Sequence, residues 1–186
     1  DSFPTGNSDF GSYLNKAKSE GADVIFTPVS IAYAVQIITQ AASLGIEAPF
    51  LGSDTLDDNM VLEAIKGTDL QLYVSTFYQE GGAPEFDTGV KEYINASSEA
   101  LAANGGNDTI SAVTAYFVAL EAMKKADSGD KAAIMAALPS VTYTGVSGSI
   151  AFDAQGDAIR DTAYIKAADT ASGAWVLETV QTGSGS

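Results

Sequence analysis

Between Phe10 and Ser75 the chain alternates helical patterns closed by glycine with short apolar runs, and few folds accept that alternation. Phe10, Tyr13, Leu14 and Ala17 recur at helical spacing, Ser8 stands where an N-cap is expected, and Gly21 is suited to end the helix in a left-handed conformation. Val24-Ile25-Phe26-Thr27-Pro28-Val29 then reads as a buried parallel strand. Ile31, Val35, Ile38 and Ala42 mark a second helix closed by Gly45, and Pro49–Gly52 a short strand feeding a loop with Asp54, Asp57 and Asp58. Leu62 and Ile65 mark a third helix, and Leu70–Ser75 a third strand. Strands and helices in this order predict an α/β fold, an open parallel sheet covered by helices on both faces.

The rhythm stops after Phe77, where Gly81-Gly82-Ala83-Pro84 interrupts it. Three helical segments follow, at 84–101, 108–126 and 130–138. In the second, Val113, Tyr116, Phe117, Leu120 and Met123 form a broad apolar face that needs a sheet to cover, so Tyr116 and Phe117 are expected to pack in a core. Short strands are expected at Val141–Tyr143 and Ile150–Phe152, and a longer pair at Thr162–Ala167 and Trp175–Val180. Asp153 and Asp157 flank Gly156, but two carboxylates fall short of a calcium loop, and a turn is expected there. The pattern divides the chain into 1–76, 77–150 and a returning segment 151–182, followed by 183–186 with the composition of a linker or tag remnant.

Several chemistries lack their residues. The chain has no cysteine and no histidine, which removes thiolate nucleophiles, imidazole bases and the usual zinc sites. It has no nucleotide-type Gly-x-Gly-x-x-Gly after a strand and no Gly-x-Ser-x-Gly elbow, so neither catalysis nor a cofactor or metal is expected. With 24 acidic against 9 basic residues, a net charge of −15 opposes attraction to phosphate backbones, and nucleic acid is not expected as a partner. No apolar run approaches the ~20 residues of a membrane span.

Five stretches in a shared order resemble the type I periplasmic binding proteins, in particular the leucine/isoleucine/valine-binding group that serves ATP-driven importers. They are Ser2–Phe10, Gly21–Phe26, Gln40–Ile46, Leu51–Asp54 and, the most specific, Gly145–Asp157. The resemblance implies a Rossmann-like two-lobed fold in which a small solute is trapped between lobes. In that frame 1–76 and 151–182 belong to the carboxy-terminal lobe and 77–150 supplies helices of the amino-terminal lobe, so the chain reads as a fragment lacking the family's opening segment. The implied partners are a small-molecule ligand, an amino acid above all, and an ABC transporter permease. The implied location is extracytoplasmic, periplasm or cell surface, with a lipid anchor left open.

By the same resemblance Asp54 matches the carboxylate that receives a ligand ammonium group, against the plainer role of capping the next helix, which suits Asp57 or Asp58 better. Ser30 matches a pocket side chain after the first strand and could equally cap its helix. Ser111 matches a position that can carry a large pocket-wall residue, and a serine there implies a roomier or more polar pocket, or merely a solvated helix start. A sensory ligand-binding domain of the same fold is the alternative function. The uncovered helical face leads us to expect self-association, or a need for a complementing amino-terminal fragment.

Overall fold

The computed structural model describes residues 1–79, 88, 106–145, 147–160 and 162–183. The helix expected at 84–101 lies outside them except for Thr88, as do residues 184–186 of the expected linker. The described residues divide between two compact units, the first built from 1–76 and 164–179, the second from 77–79, 106–163 and the residues after 179.

In the first unit the alternation is realised as α1 (Gly11–Ser19), β1 (Ile25–Thr27), α2 (Ile31–Ser43), β2 (Phe50–Gly52), a 3-10 turn at Asp54–Leu56, α3 (Asn59–Ile65) and β3 (Leu72–Thr76). Both glycine stops work as the sequence implies. Gly21 and Gly45 have φ of 68° and 59°, and the residues after them, Ala22 and Ile46, donate back to the carbonyls of Ala17 and Ala41, closing each helix in a Schellman motif. Lys18 Nζ donates to the carbonyls of Leu44 and Gly45, tying the end of α2 to α1.

Ser8 is not the cap of α1. The helix begins after Phe10, whose N–H donates 2.7 Å to Gln40 Oε1 of α2, while Gln40 Nε2 donates 2.8 Å to the Ser8 carbonyl. A side chain from a neighbouring helix thus satisfies the donor that a local cap would have served.

Strands β1, β2 and β3 are parallel, with Ile25 opposite Phe50 and Phe50 opposite Leu72. Two strands from the far end of the chain complete the sheet, β7 (Thr162–Asp169) and β8 (Ala174–Thr182), in the order β1-β2-β3-β7-β8. β7 runs antiparallel to β3, with Val74 opposite Lys166 and Thr76 opposite Tyr164. The expected parallel sheet is therefore mixed. Phe10, Leu14, Ile38, Phe50, Leu56, Val61, Ile65, Leu72 and Val74 are buried in one core, where each large aliphatic or aromatic side chain contributes about 1.5–3 kcal/mol.

The first strand is not buried as expected. β1 is the sheet's edge, and Val24 and Phe26 are 52% and 62% exposed because no described strand pairs with its outer side. A cavity of about 400 Å³ opens along it, lined by residues that include Phe3, Phe10, Tyr13 and Ile37.

The second unit holds α4 (Gly106–Ala126), α5 (Lys131–Ala137) and an antiparallel sheet β4-β5-β6 formed by Tyr143–Gly145, Gly148–Phe152 and Ala158–Ile159. Asp130 caps α5 by accepting from the N–H groups of Ala132 and Ala133. The expected turn at 153–157 is made by the Asp153 carboxylate, which accepts from the N–H groups of Gln155 and Asp157. β5 pairs on one side with β4 and on the other with β6, which keeps residues 147–160 in this unit.

The core of the second unit also differs from expectation. α4 buries Thr114, Val118 and Ala122, one row at four-residue spacing, against Val141, Ile134 and Leu138. Tyr116 and Phe117 lie on the other side, 61% and 42% exposed. Phe117 stacks on Tyr143 with ring centroids 5.9 Å apart. The row that packs is the one of small side chains, while Tyr116, Phe117 and Met123 stay exposed.

Candidate functional site

Ser30 and Asp54 follow the carboxyl ends of two adjacent parallel strands, β1 and β2, whose last residues Thr27 and Gly52 are paired. Ligands of open α/β sheets sit beyond such ends, where loops and helix amino termini converge. The two loops are joined directly, because Thr55 Oγ1 donates 2.9 Å to the Val29 carbonyl. Ser30 is exposed and occupies the N-cap position of α2, yet its hydroxyl makes no capping bond. Its carbonyl begins the helix instead, accepting from Tyr33 and Ala34. The hydroxyl and the positive end of a 13-residue helix lie in the loop that is bonded to the Asp54 turn.

Three aspartates share that turn, and the structure gives each a different task. Asp58 caps α3, with the Met60 N–H 2.7 Å from its Oδ1. Asp57 is buried, its side chain 3% exposed, and its Oδ2 accepts from Lys166 Nζ at 2.8 Å and from Thr76 Oγ1 at 2.8 Å. Asp54 is half-buried at the first position of the 3-10 turn, and no hydrogen bond or ion pair among the described residues engages its carboxylate. Of the three, only Asp54 presents a carboxylate with no partner among the described residues.

The turn is tightly held. Leu56 is fully buried beneath it, and a Cβ on Gly52 would come within 2.5 Å of Leu56 Cδ2, so the glycine is needed for the close approach of strand and turn. Ser53 and Thr55 hydroxyls lie 2.8 Å apart, and the Asp57 N–H donates 3.0 Å to the Asp54 carbonyl.

Ser111 lies in the second unit on α4, half-buried, where it lines a cavity of about 330 Å³ with Thr114, Ile134, Phe152 and Arg160. Arg160 lies over the Phe77 ring at 4.4 Å and donates to the Ser147 carbonyl. Lys166 and Thr76 escaped sequence reasoning. The available signal was a lone lysine inside Thr162-Ala163-Tyr164-Ile165-Lys166-Ala167-Ala168, where a cation on an otherwise apolar strand calls for a buried partner.

Residues 1–174 match the sequence profile of the family described as periplasmic binding protein. The chain belongs to that family. Among solved periplasmic binding proteins and their kin, a leucine binding protein of Thermotoga maritima is similar at 27% identity and a TM-score of 0.72, over 97% of this chain and 50% of that one. The isoleucine complex of a branched-chain amino acid transporter substrate binding protein of Streptococcus pneumoniae is similar at 22% identity and a TM-score of 0.65, over 97% and 50%. A fatty acid ABC transporter substrate-binding protein of Thermomonospora curvata shares the fold at 17% identity and a TM-score of 0.74, over 98% and 49%. This periplasmic binding protein chain thus spans about half the length of those relatives. The family consists of non-enzymatic solute-binding proteins, and it is extracytoplasmic. No helix among the described residues is long and apolar enough to cross a membrane.

Proposed function

We propose that this chain is part of the solute-binding component of an ABC importer and that the solute is a small amino acid of the branched-chain or a related type, delivered to a membrane permease. The observation that carries the reading is the Asp54 carboxylate, uncompensated on a rigid turn at the end of β2 while its two neighbours are engaged. An ammonium group supplies donors and positive charge, and charge-assisted hydrogen bonds to a carboxylate are short and strong. Ser30 and the amino terminus of α2 suit the other end of an α-amino acid, since helix amino termini favour carboxylates. Neighbouring strands lie about 4.8 Å apart, and the two loops that leave them are joined by the bond from Thr55 to the Val29 carbonyl.

Ser111 lines the separate cavity within the second unit. Its small side chain leaves room for a larger or more polar solute than a bulky residue would allow. The likeness to a leucine binding protein supports the amino-acid class.

The test is calorimetry of the full-length protein against a panel of amino acids, with Asp54→Ala alongside. Truncating one partner of a desolvated charge pair costs about 2–5 kcal/mol, so affinity is expected to fall by a factor of about 30 to several thousand at unchanged melting temperature. A variant that keeps its affinity within threefold of wild type removes Asp54 from the site.

A further inference from the structure

We infer that Lys166, Asp57 and Thr76 are positioning residues for the ligand-binding carboxylate Asp54; the inference rests on the function proposed above. Asp57 stands at the exit of the turn whose entrance is Asp54, and its N–H holds the Asp54 carbonyl at 3.0 Å. Its carboxylate accepts from Lys166 of β7 and from Thr76, the last residue of β3, each at 2.8 Å. The turn is thereby located relative to two central strands and not only to its own neighbours in sequence.

Stability alone does not account for this arrangement. Both charges are almost wholly buried, with 3% and 9% of their side chains exposed. Desolvating such a pair roughly cancels its attraction, so an apolar pair of equal volume would hold the sheet as well. What a buried pair supplies, and an apolar contact does not, is a fixed direction and a cancelled charge.

Both bear on Asp54. The direction sets where the turn carries its first carboxylate. The cancellation removes the Asp57 charge, and with Asp58 engaged as the cap of α3 it leaves Asp54 as the one unpartnered carboxylate of the turn, which suits one ammonium. With Asp57 unpaired, two carboxylates within one turn would compete for the same cation and draw water or a metal ion.

The crossing points sharpen the argument. Among the described residues the first unit ends its long run at Thr76 and resumes at Tyr164, and these two residues are paired across β3 and β7. The Asp57 clamp thus joins the ligand turn to the strands through which the chain passes between its units.

The experiment measures, in the full-length protein, the ratio of affinities for leucine and for 4-methylpentanoate, which is leucine without its ammonium group. A correctly placed Asp54 makes this ratio large. Asp54→Asn is the reference and should bring the ratio down at least tenfold. The paired variant Asp57→Asn/Lys166→Met removes both charges and keeps an acceptor for Thr76, and it should lower the ratio at least tenfold while melting within a few degrees of wild type. Thr76→Val, which leaves the ion pair in place, should lower it about threefold and serves if the paired variant does not fold. A ratio that stays at the wild-type value in the paired variant, or in Thr76→Val if the first is unfolded, while Asp54→Asn collapses it, overturns the positioning role and leaves the function standing. A wild type with no preference for leucine, or an Asp54→Asn variant that keeps the preference, removes the function reading and this inference with it.

Discussion

Replacing Gly52 by alanine tests whether the Asp54 turn is as closely packed as its geometry implies. The backbone there needs no glycine for its dihedral angles, so the effect is one of space. The added methyl would meet Leu56 Cδ2 at 2.5 Å, Cβ at 3.2 Å and Cγ at 3.3 Å. Ordinary van der Waals contact between carbons begins about 3.5 Å, so Leu56 must give way by about 1 Å. Leu56 is fully buried and cannot swing into solvent. Forcing it off its rotamer costs about 0.5–1.5 kcal/mol, and overpacking of this kind about 1–3 kcal/mol in total. For a chain of this size that corresponds to a fall in melting temperature of about 2–12 °C. Leu56→Ala alone should cost about 2–5 kcal/mol by opening a cavity. In the double variant the new methyl of residue 52 fills part of that cavity, so the double should be more stable than the sum of the singles by at least 1 kcal/mol. Thermal or urea unfolding of the four proteins gives the coupling directly. Additive effects, or an unperturbed Gly52→Ala, would show that strand and turn do not touch as described.

Three other outcomes are expected. Ser111→Phe should shift relative affinities toward compact aliphatic solutes, and unchanged ratios among leucine, valine, serine and threonine would place Ser111 away from the pocket. Asp169 holds the hairpin between β7 and β8, and bonds from the Ser172 hydroxyl and from the Ser172 and Ala171 N–H groups keep its carboxyl below the usual range. Its contribution is present above the ordinary carboxylate pKa and lost as pH falls through the lowered value; Ser172→Ala should move the Asp169 carboxyl resonance midpoint upward, and an unmoved midpoint refutes the assignment. The 186-residue chain should self-associate through its exposed apolar strips, at Val24 and Phe26 and at Tyr116 and Phe117, and Phe26→Lys with Tyr116→Lys should shift sedimentation toward monomer. A compact wild-type monomer at high concentration rejects that expectation.

The helices and strands of the first unit were legible because their signals are local. Gly21 and Gly45 close their own helices, and Phe10, Leu14 and Ile38 carry the period of the face they bury. The misreadings come where distant groups intervene. Gln40 takes the capping duty expected of Ser8, and the direction of β7 depends on a pairing that no periodicity encodes. On α4 the apolar pattern marked a real face, but the packing row is the inconspicuous Thr114, Val118 and Ala122. Of the site, Asp54 and Ser30 were reached through resemblance. The clamp behind them was not, since Asp57 and Lys166 are 109 positions apart.

That separation has a consequence for how the protein is made. At about 5–20 residues per second, a ribosome that has placed Asp57 needs about 5–20 s to supply Lys166. Closing so long a loop costs about 4 kcal/mol beyond a constant, recovered only when β7 docks. For that interval β3 lacks its β7 partner and presents an open edge, and the Asp57 carboxylate must stay hydrated. The nascent chain's most vulnerable moment therefore falls between the synthesis of β3 and the arrival of β7, and a chaperone or protease that acts on this protein during translation would find its target at β3.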